Sequence, residues 1–293
     1  MHIDTYMNTN VLVAGVIFFA VAFTACNISH TTESGLSDST KIVSTNGTLS
    51  EILVGLGFED NIVGVDVAST YPARLQQKPK IGHNRDISAE GVLALGPDLV
   101  VGISDVVKPQ VAEQIQATGT KFLLFEHEYS KEGAKRLIRT VADSLGQAAK
   151  GDSLLRELEA DLAHADSLTA NAQGKPKVLF IYARGTGTMM VAGQRTQLDE
   201  IIQLAGGINA VQGFEDFKPL TSEAVIAANP DVILLFDSGL SSLGGIDGLL
   251  QVQGISETNA GKNRKVVEMD GQFLTGFGPR LGKAVIELAE KIH

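Results

Sequence analysis

The sequence predicts an α/β protein of two βα lobes with mainly parallel sheets, joined by a long helical segment. Three observations predict it. From residue 41 onward, short apolar runs alternate with helical patterns, as βα units do. Residues 131–171 break that alternation with helical spacing alone. One stretch of sequence then recurs on either side of the break.

The first half carries strand-like runs at Lys41–Ser44, Asn61–Val65, Asp98–Gly102 and Lys121–Phe125. Between them, Thr48–Gly57 begins with capping-type residues and stops at glycine, as a helix does. Ser88–Leu95 and residues 108–118 read as the next helices. Glu51 lies near the start of the first helix and reads as a capping residue. The second half restarts with strands at Val178–Tyr182, Asp231–Leu235 and Lys265–Glu268. A helix at Leu198–Leu204 is stopped by Gly206-Gly207, and a final helix spans 279–291. Between the halves, Leu137, Val141 and Leu145 are four apart, and so are Leu154, Leu158 and Leu162. Gly146 and Gly151 weaken the middle, so one kinked helix and two consecutive helices both stay open.

The recurring stretch is Ile87–Val100 against Leu220–Ile233. Each holds a Ser/Thr, a glutamate (Glu90, Glu223), a short apolar helix, Pro-Asp and a buried strand. Pro disfavours helix in the residue before it, so the chain turns from helix to strand there. Taken alone, each glutamate is a first-turn residue favoured by the helix dipole.

The N-terminus differs in kind. Residues 11–25 form an uncharged run of 15 residues, mostly apolar. A spanning helix needs about 20, whereas this length suits the core of a secretory signal. Cys26, the only cysteine, follows Phe23-Thr24-Ala25. It has no partner for an internal disulfide. The tetrapeptide resembles a bacterial lipobox, which implies a lipidated cysteine at a new N-terminus. Phe23 stands where leucine is usual, and residues 1–10 hold no Lys or Arg. Residues 26–40 are rich in Ser and Thr and read as a flexible tether. The expected organisation is a signal peptide at 1–25, a tether at 26–40, a first lobe at 41–130, a bridge at 131–171 and a second lobe at 172–293.

Composition excludes several functions. A formal net charge of -10 argues against a nucleic-acid surface. The six histidines include no closely spaced pair, as a transition-metal site would want. Neither Gly185-Thr186-Gly187-Thr188 nor Gly276-Phe277-Gly278 makes a dinucleotide fingerprint or a P-loop, and Gly-x-Ser-x-Gly is absent. The chain does not read as an enzyme.

Thr70-Tyr71-Pro72 follows the strand at 61–65. Loops at the carboxyl ends of parallel strands are where α/β sheets bind ligands. Together with Ile81–Gly91, Met190–Gly193 and Thr275–Arg280, this run is similar to haem-binding members of the class of periplasmic binding proteins that serves ABC importers of haem, cobalamin and iron-siderophores (class III). The resemblance implies cargo held between the lobes, here ferric haem b, with no catalytic cofactor. Tyr71 would be the axial ligand to haem iron. A phenolate oxygen is a hard base for ferric iron, and the metal would displace a proton that tyrosine ordinarily holds to about pH 10. Arg74 and Arg85 would support that oxygen, and Arg74 could instead grip a propionate. Some relatives place a histidine after the first strand of the second lobe. Here that loop holds Arg184 and Met189 instead, and His83 replaces a tyrosine of the relatives. These three complete the expected haem contacts. Glu90 and Glu223 would dock on a permease dimer driven by its ATPase, with the protein a lipid-anchored, extracytoplasmic monomer. An iron-siderophore or cobalamin is the alternative cargo.

Overall fold

A computed structural model describes residues 36–293. The signal-like run, Cys26 and most of the expected tether lie outside the described residues. No helix among the described residues is long and apolar enough to cross a membrane.

The first lobe runs β1 (Ile42–Ser44), α1 (Gly47–Gly55), β2 (Ile62–Val65), α2 (Ala89–Leu93), β3 (Leu99–Ile103), α3 (Pro109–Gln116) and β4 (Lys121–Phe125). Its four strands are all parallel, in the order β2-β1-β3-β4. Two helices follow, α4 (Lys131–Ser144) and α5 (Ala148–Ala170). The choice left open by the sequence is therefore two helices, not one. Gly146 takes φ +68° between them, a conformation glycine adopts without cost. Gly151 lets them close up, since a Cβ there would meet Ala142 Cβ at 2.4 Å.

The second lobe is more irregular. It comprises β5 (Lys177–Ala183), β6 (Met189–Ala192), α6 (Gln197–Leu204), β7 (Ile208–Asn209), β8 (Phe217–Pro219), α7 (Ser222–Ala228), β9 (Val232–Phe236), α8 (Asp237–Ser242), α9 (Gly245–Leu250), α10 (Asn259–Asn263), β10 (Val266–Met269), α11 (Gly271–Thr275) and α12 (Leu281–Ile292). The sheet order is β10-β9-β5-β6-β8, with β7 beside β5. Strands β10, β9, β5 and β7 are parallel, while β6 pairs antiparallel with both β5 and β8. The sequence reading missed β6, β7 and β8 as strands and the short helices α8 to α11.

The parallel strands read as apolar runs because both of their faces are covered. Val178 and Phe180 join one core cluster, Leu179 and Ile181 another, as period-two alternation requires. The largest cluster is shared. It passes from Ile42, Leu49 and Ile52 of the first lobe through Leu158 and Leu162 of α5 to Phe180, Ile201 and Val285 of the second. Helix α5 packs on α1, α4, α6 and α12.

The repeated sequence has one structural job in both lobes. Asp98 Oδ2 accepts the Lys41 N–H at 2.8 Å, and Asp231 Oδ2 accepts the Lys177 N–H at 3.0 Å. Each Pro-Asp thus ties the strand that follows it to the start of its neighbour, β1 or β5. The caps repeat as well, Ser88 Oγ accepting from Gly91 N and Thr221 Oγ1 from Ala224 N.

The Lys177 N–H, then the Asn259 side chain, hold the Asp231 carboxyl below its usual range. A carboxylate with a lowered folded-state value stabilises the fold above its unfolded-state value, about 3.9, and loses that effect as pH falls through the lower value. Asp231→Asn should cost about 1 kcal/mol at neutral pH. In urea unfolding across a pH series, its gap to wild type should narrow below about pH 3.

Candidate functional site

The loops at the carboxyl ends of β1, β2, β4, β5 and β9 face one another across a cavity of about 770 Å³. This is the crevice where α/β sheets place ligands. From the first lobe come His83, Asn84, Arg85, His127 and Tyr129. From the second come Tyr182, Arg184, Phe217, Phe236, Ser238 and Gln272. Arg184 Cζ lies 5.7 Å from the centre of the Tyr182 ring, which meets Phe236 edge-on at 6.3 Å. Each wall therefore offers aromatic surface and one guanidinium.

Tyr71 is placed beside this cavity, not among the residues that line it. Tyr71 is 49% exposed, and its peptide bond to Pro72 is cis. The guanidinium of Arg280 covers one face of the ring, at 3.9 Å from its centre. Arg280 in turn borders a small void with Thr48, Gln272 and Gly276, which also line the main cavity. The loop that carries Tyr71 is anchored from below. Asp66 is fully buried and accepts from Ser69 Oγ at 2.5 Å and from Ala68 N at 3.3 Å. Ser69 Oγ also meets Ser50 Oγ at 2.7 Å, and Ser50 donates to Ser44. Burial pushes the Asp66 carboxyl up, and those hydrogen bonds work against the shift.

The remaining expected residues separate. His83 and Arg85 share the first-lobe wall, and His83 Nδ1 accepts the Arg85 N–H at 3.4 Å. Arg74 stands elsewhere. Its side chain is 70% exposed and pairs with Glu59 and Asp60. Met189 packs against the outer core of the second lobe and lines a separate groove with Leu220 and Val252. Glu90 and Glu223 are each the second residue of their helix, α2 and α7, and both are exposed. Cys26 lies outside the described residues.

Glu51 requires a correction. It is not a cap, because α1 begins at Gly47 and Asn46 Oδ1 accepts from Thr48 N and Leu49 N. Glu51 is 8% exposed and binds Arg280 through both oxygens. Burial pushes its carboxyl up, and the hydrogen bonds and charge of Arg280 pull it back.

The sequence reading missed Tyr129, Tyr182, His127 and Arg280. Position would have flagged three of them, since Tyr129, Tyr182 and His127 stand at or just past the ends of β4 and β5. His127 Nε2 lies 3.2 Å from the Phe277 carbonyl oxygen, and burial depresses its imidazole. Tyr129 is wedged between the His127 and Phe277 rings, 4.9 and 5.6 Å away, and burial pushes its phenol up. Among the described residues, no three His, Cys, Asp or Glu side chains cluster to hold a bare metal ion.

Known proteins agree with this geometry. The periplasmic binding protein family matches residues 42–273. The chain is similar to the solved periplasmic heme-binding protein RhuT from Roseiflexus sp. RS-1 in apo form. That likeness has 42% identity and a TM-score of 0.84, and covers 87% of this chain and 98% of RhuT. It is also similar to the ABC transporter substrate-binding lipoprotein YvrC of Bacillus subtilis (strain 168), at 28% identity over 86% of this chain and 80% of YvrC. The high-affinity heme uptake system protein IsdE of Staphylococcus aureus (strain MRSA252) is 26% identical over 77% of this chain and 76% of IsdE. Two lobes of this topology, a cleft at the strand ends and a family match over most of the chain make this protein a member of the periplasmic binding protein family.

Proposed function

We propose that the protein is an extracytoplasmic, non-enzymatic carrier that captures ferric haem in the inter-lobe cleft and delivers it to an ABC importer. The cavity carries this reading. Tyr129, Tyr182, Phe217 and Phe236 supply aromatic surface, while Arg85 and Arg184 supply a guanidinium on each wall. Haem is a flat apolar ring with two carboxylates, and guanidinium pairs with carboxylate in two-point fashion. RhuT and IsdE, named for heme, support the same cargo.

In this reading Tyr71 supplies the phenolate oxygen to iron, with His83 at the haem edge and Arg85 and Arg184 on the propionates. Arg74, paired with Glu59 and Asp60, and Met189, packed in the second lobe, take a lesser part. The second-lobe phenol, Tyr182, is a further oxygen donor that lines the cavity. A hemin titration should give a shifted Soret band with a ferric–phenolate charge-transfer band. Tyr71→Ala should abolish that band and weaken binding by roughly tenfold or more. Loss of the band in Tyr182→Phe instead would move the ligand to the second lobe. A wild-type protein indifferent to hemin but protected by a siderophore or cobalamin would overturn the cargo.

Glu90 and Glu223 are the proposed contacts to the permease dimer, on the strength of their matched places in the repeated unit. Glu90→Ala and Glu223→Ala should leave hemin affinity unchanged. They should lower uptake by vesicles carrying the importer and its ATPase, the double variant most. Equal uptake by the double variant would remove the assignment.

The lipobox-like run before Cys26, and the lipoprotein YvrC among its relatives, support a lipid anchor at that cysteine. A diacylglyceryl mass on a mature chain beginning at Cys26 is the expected result. A start at any other residue would exclude it.

A further inference from the structure

Arg280 is held from three sides. Glu51, on α1, takes its Nε at 2.8 Å and its terminal nitrogen at 2.5 Å. The Tyr71 ring centre lies 3.9 Å from its Cζ and the Phe273 ring centre 4.8 Å. Its side chain is only 18% exposed, and that of Glu51 6%. The segment that delivers it is tied down as well. Thr48 Oγ1 donates to the Gly276 carbonyl at 2.6 Å, and Gln272 Nε2 to Thr48 Oγ1 at 3.2 Å. Tyr71 thus belongs to the first lobe, while the cation on its ring enters from the segment between α11 and α12.

We infer that Arg280 is the positioning residue for Tyr71, and that Glu51 acts on the cargo through Arg280. This rests on the haem reading above and deepens it. A buried ion pair is a weak source of stability, because desolvating both charges offsets their attraction. The pair does something an apolar substitute could not. Its two-point grip fixes the plane of the guanidinium, and that plane fixes the face of a tyrosine that is otherwise half exposed. A lysine would keep the charge and lose the plane. Tyr71 has no comparable restraint within its own lobe, where Asp66 and Ser69 hold the loop backbone but not the ring. The ligand's orientation therefore depends on how the 276–280 segment seats against α1. The cation also draws electron density from the ring beneath it.

The test compares hemin with metal-free protoporphyrin IX in wild type, Arg280→Lys, Glu51→Gln and Tyr71→Phe, with Arg280→Lys also combined with Tyr71→Phe. Arg280→Lys and Glu51→Gln should speed hemin release to apomyoglobin about tenfold. They should move the phenolate charge-transfer band to longer wavelength. Affinity for metal-free protoporphyrin should change less than about twofold, since no iron bond is involved. In the Tyr71→Phe background, Arg280→Lys should add nothing. Glu51→Gln retains a hydrogen-bonding partner, so it reports even where Arg280→Lys fails to fold. An unchanged band and release rate, an equal loss for both porphyrins, or additivity with Tyr71→Phe would each overturn the inference while leaving haem capture intact. A wild-type protein without any hemin response would instead remove the haem reading itself.

Discussion

Helix α5 is the constraint on which the rest depends. Its apolar residues Leu158 and Leu162 belong to a single core that continues into both lobes. Burying one leucine is worth about 1.5–3 kcal/mol, so separating either lobe from this helix would forfeit several such terms at once. Gly282 of α12 shows how close the packing is, since a Cβ there would meet Asp161 Cβ at 2.4 Å. The two sheets are therefore held with their strand ends facing, and the cavity exists because that orientation is fixed.

Above the apolar core lies a polar seam. The segment 276–280 reaches the first lobe through Thr48, His127 and Glu51. Phe277, buried within it, adopts φ +44°, a conformation that non-glycine residues hold only where their surroundings over-determine it. Two physical regimes thus meet at the cleft. Dispersion and burial set the lobes in place, and directional bonds set the loops that line the cavity.

This division explains how much was legible in the sequence. The parallel strands and their order in the chain were readable because buried strands write continuous apolar runs. The repeated Pro-Asp unit was readable because each copy serves one local bond, Asp98 to Lys41 and Asp231 to Lys177. The antiparallel β6 and β8 were not, being three or four residues long and partly exposed. Among the expected site residues, His83, Arg85 and Arg184 line the cavity, whereas Tyr71 stands beside it. The sequence could not reveal Arg280 against Tyr71, because no period or spacing links residues so far apart. Arg74 shows the opposite limit. It stands close in sequence to Tyr71, but the acidic pair Glu59 and Asp60 draws it to the surface.

The arginine at position 184 limits what the second-lobe loop can do chemically. A guanidinium has five donors, no acceptor, and does not give up its proton, so Arg184 can hold a carboxylate but not a metal. His127 already directs its Nε2 at the Phe277 carbonyl, and Met189 is committed to the second-lobe core. His83 lines the cavity, and its Nδ1 accepts the Arg85 N–H. Three phenols stand at or beside the cleft, Tyr71, Tyr129 and Tyr182, and those of Tyr71 and Tyr182 have an arginine against the ring. Only the arginine on Tyr71 is itself locked by a buried carboxylate. Rigid support of that kind is what a ligand needs if its oxygen is to meet iron without first being ordered.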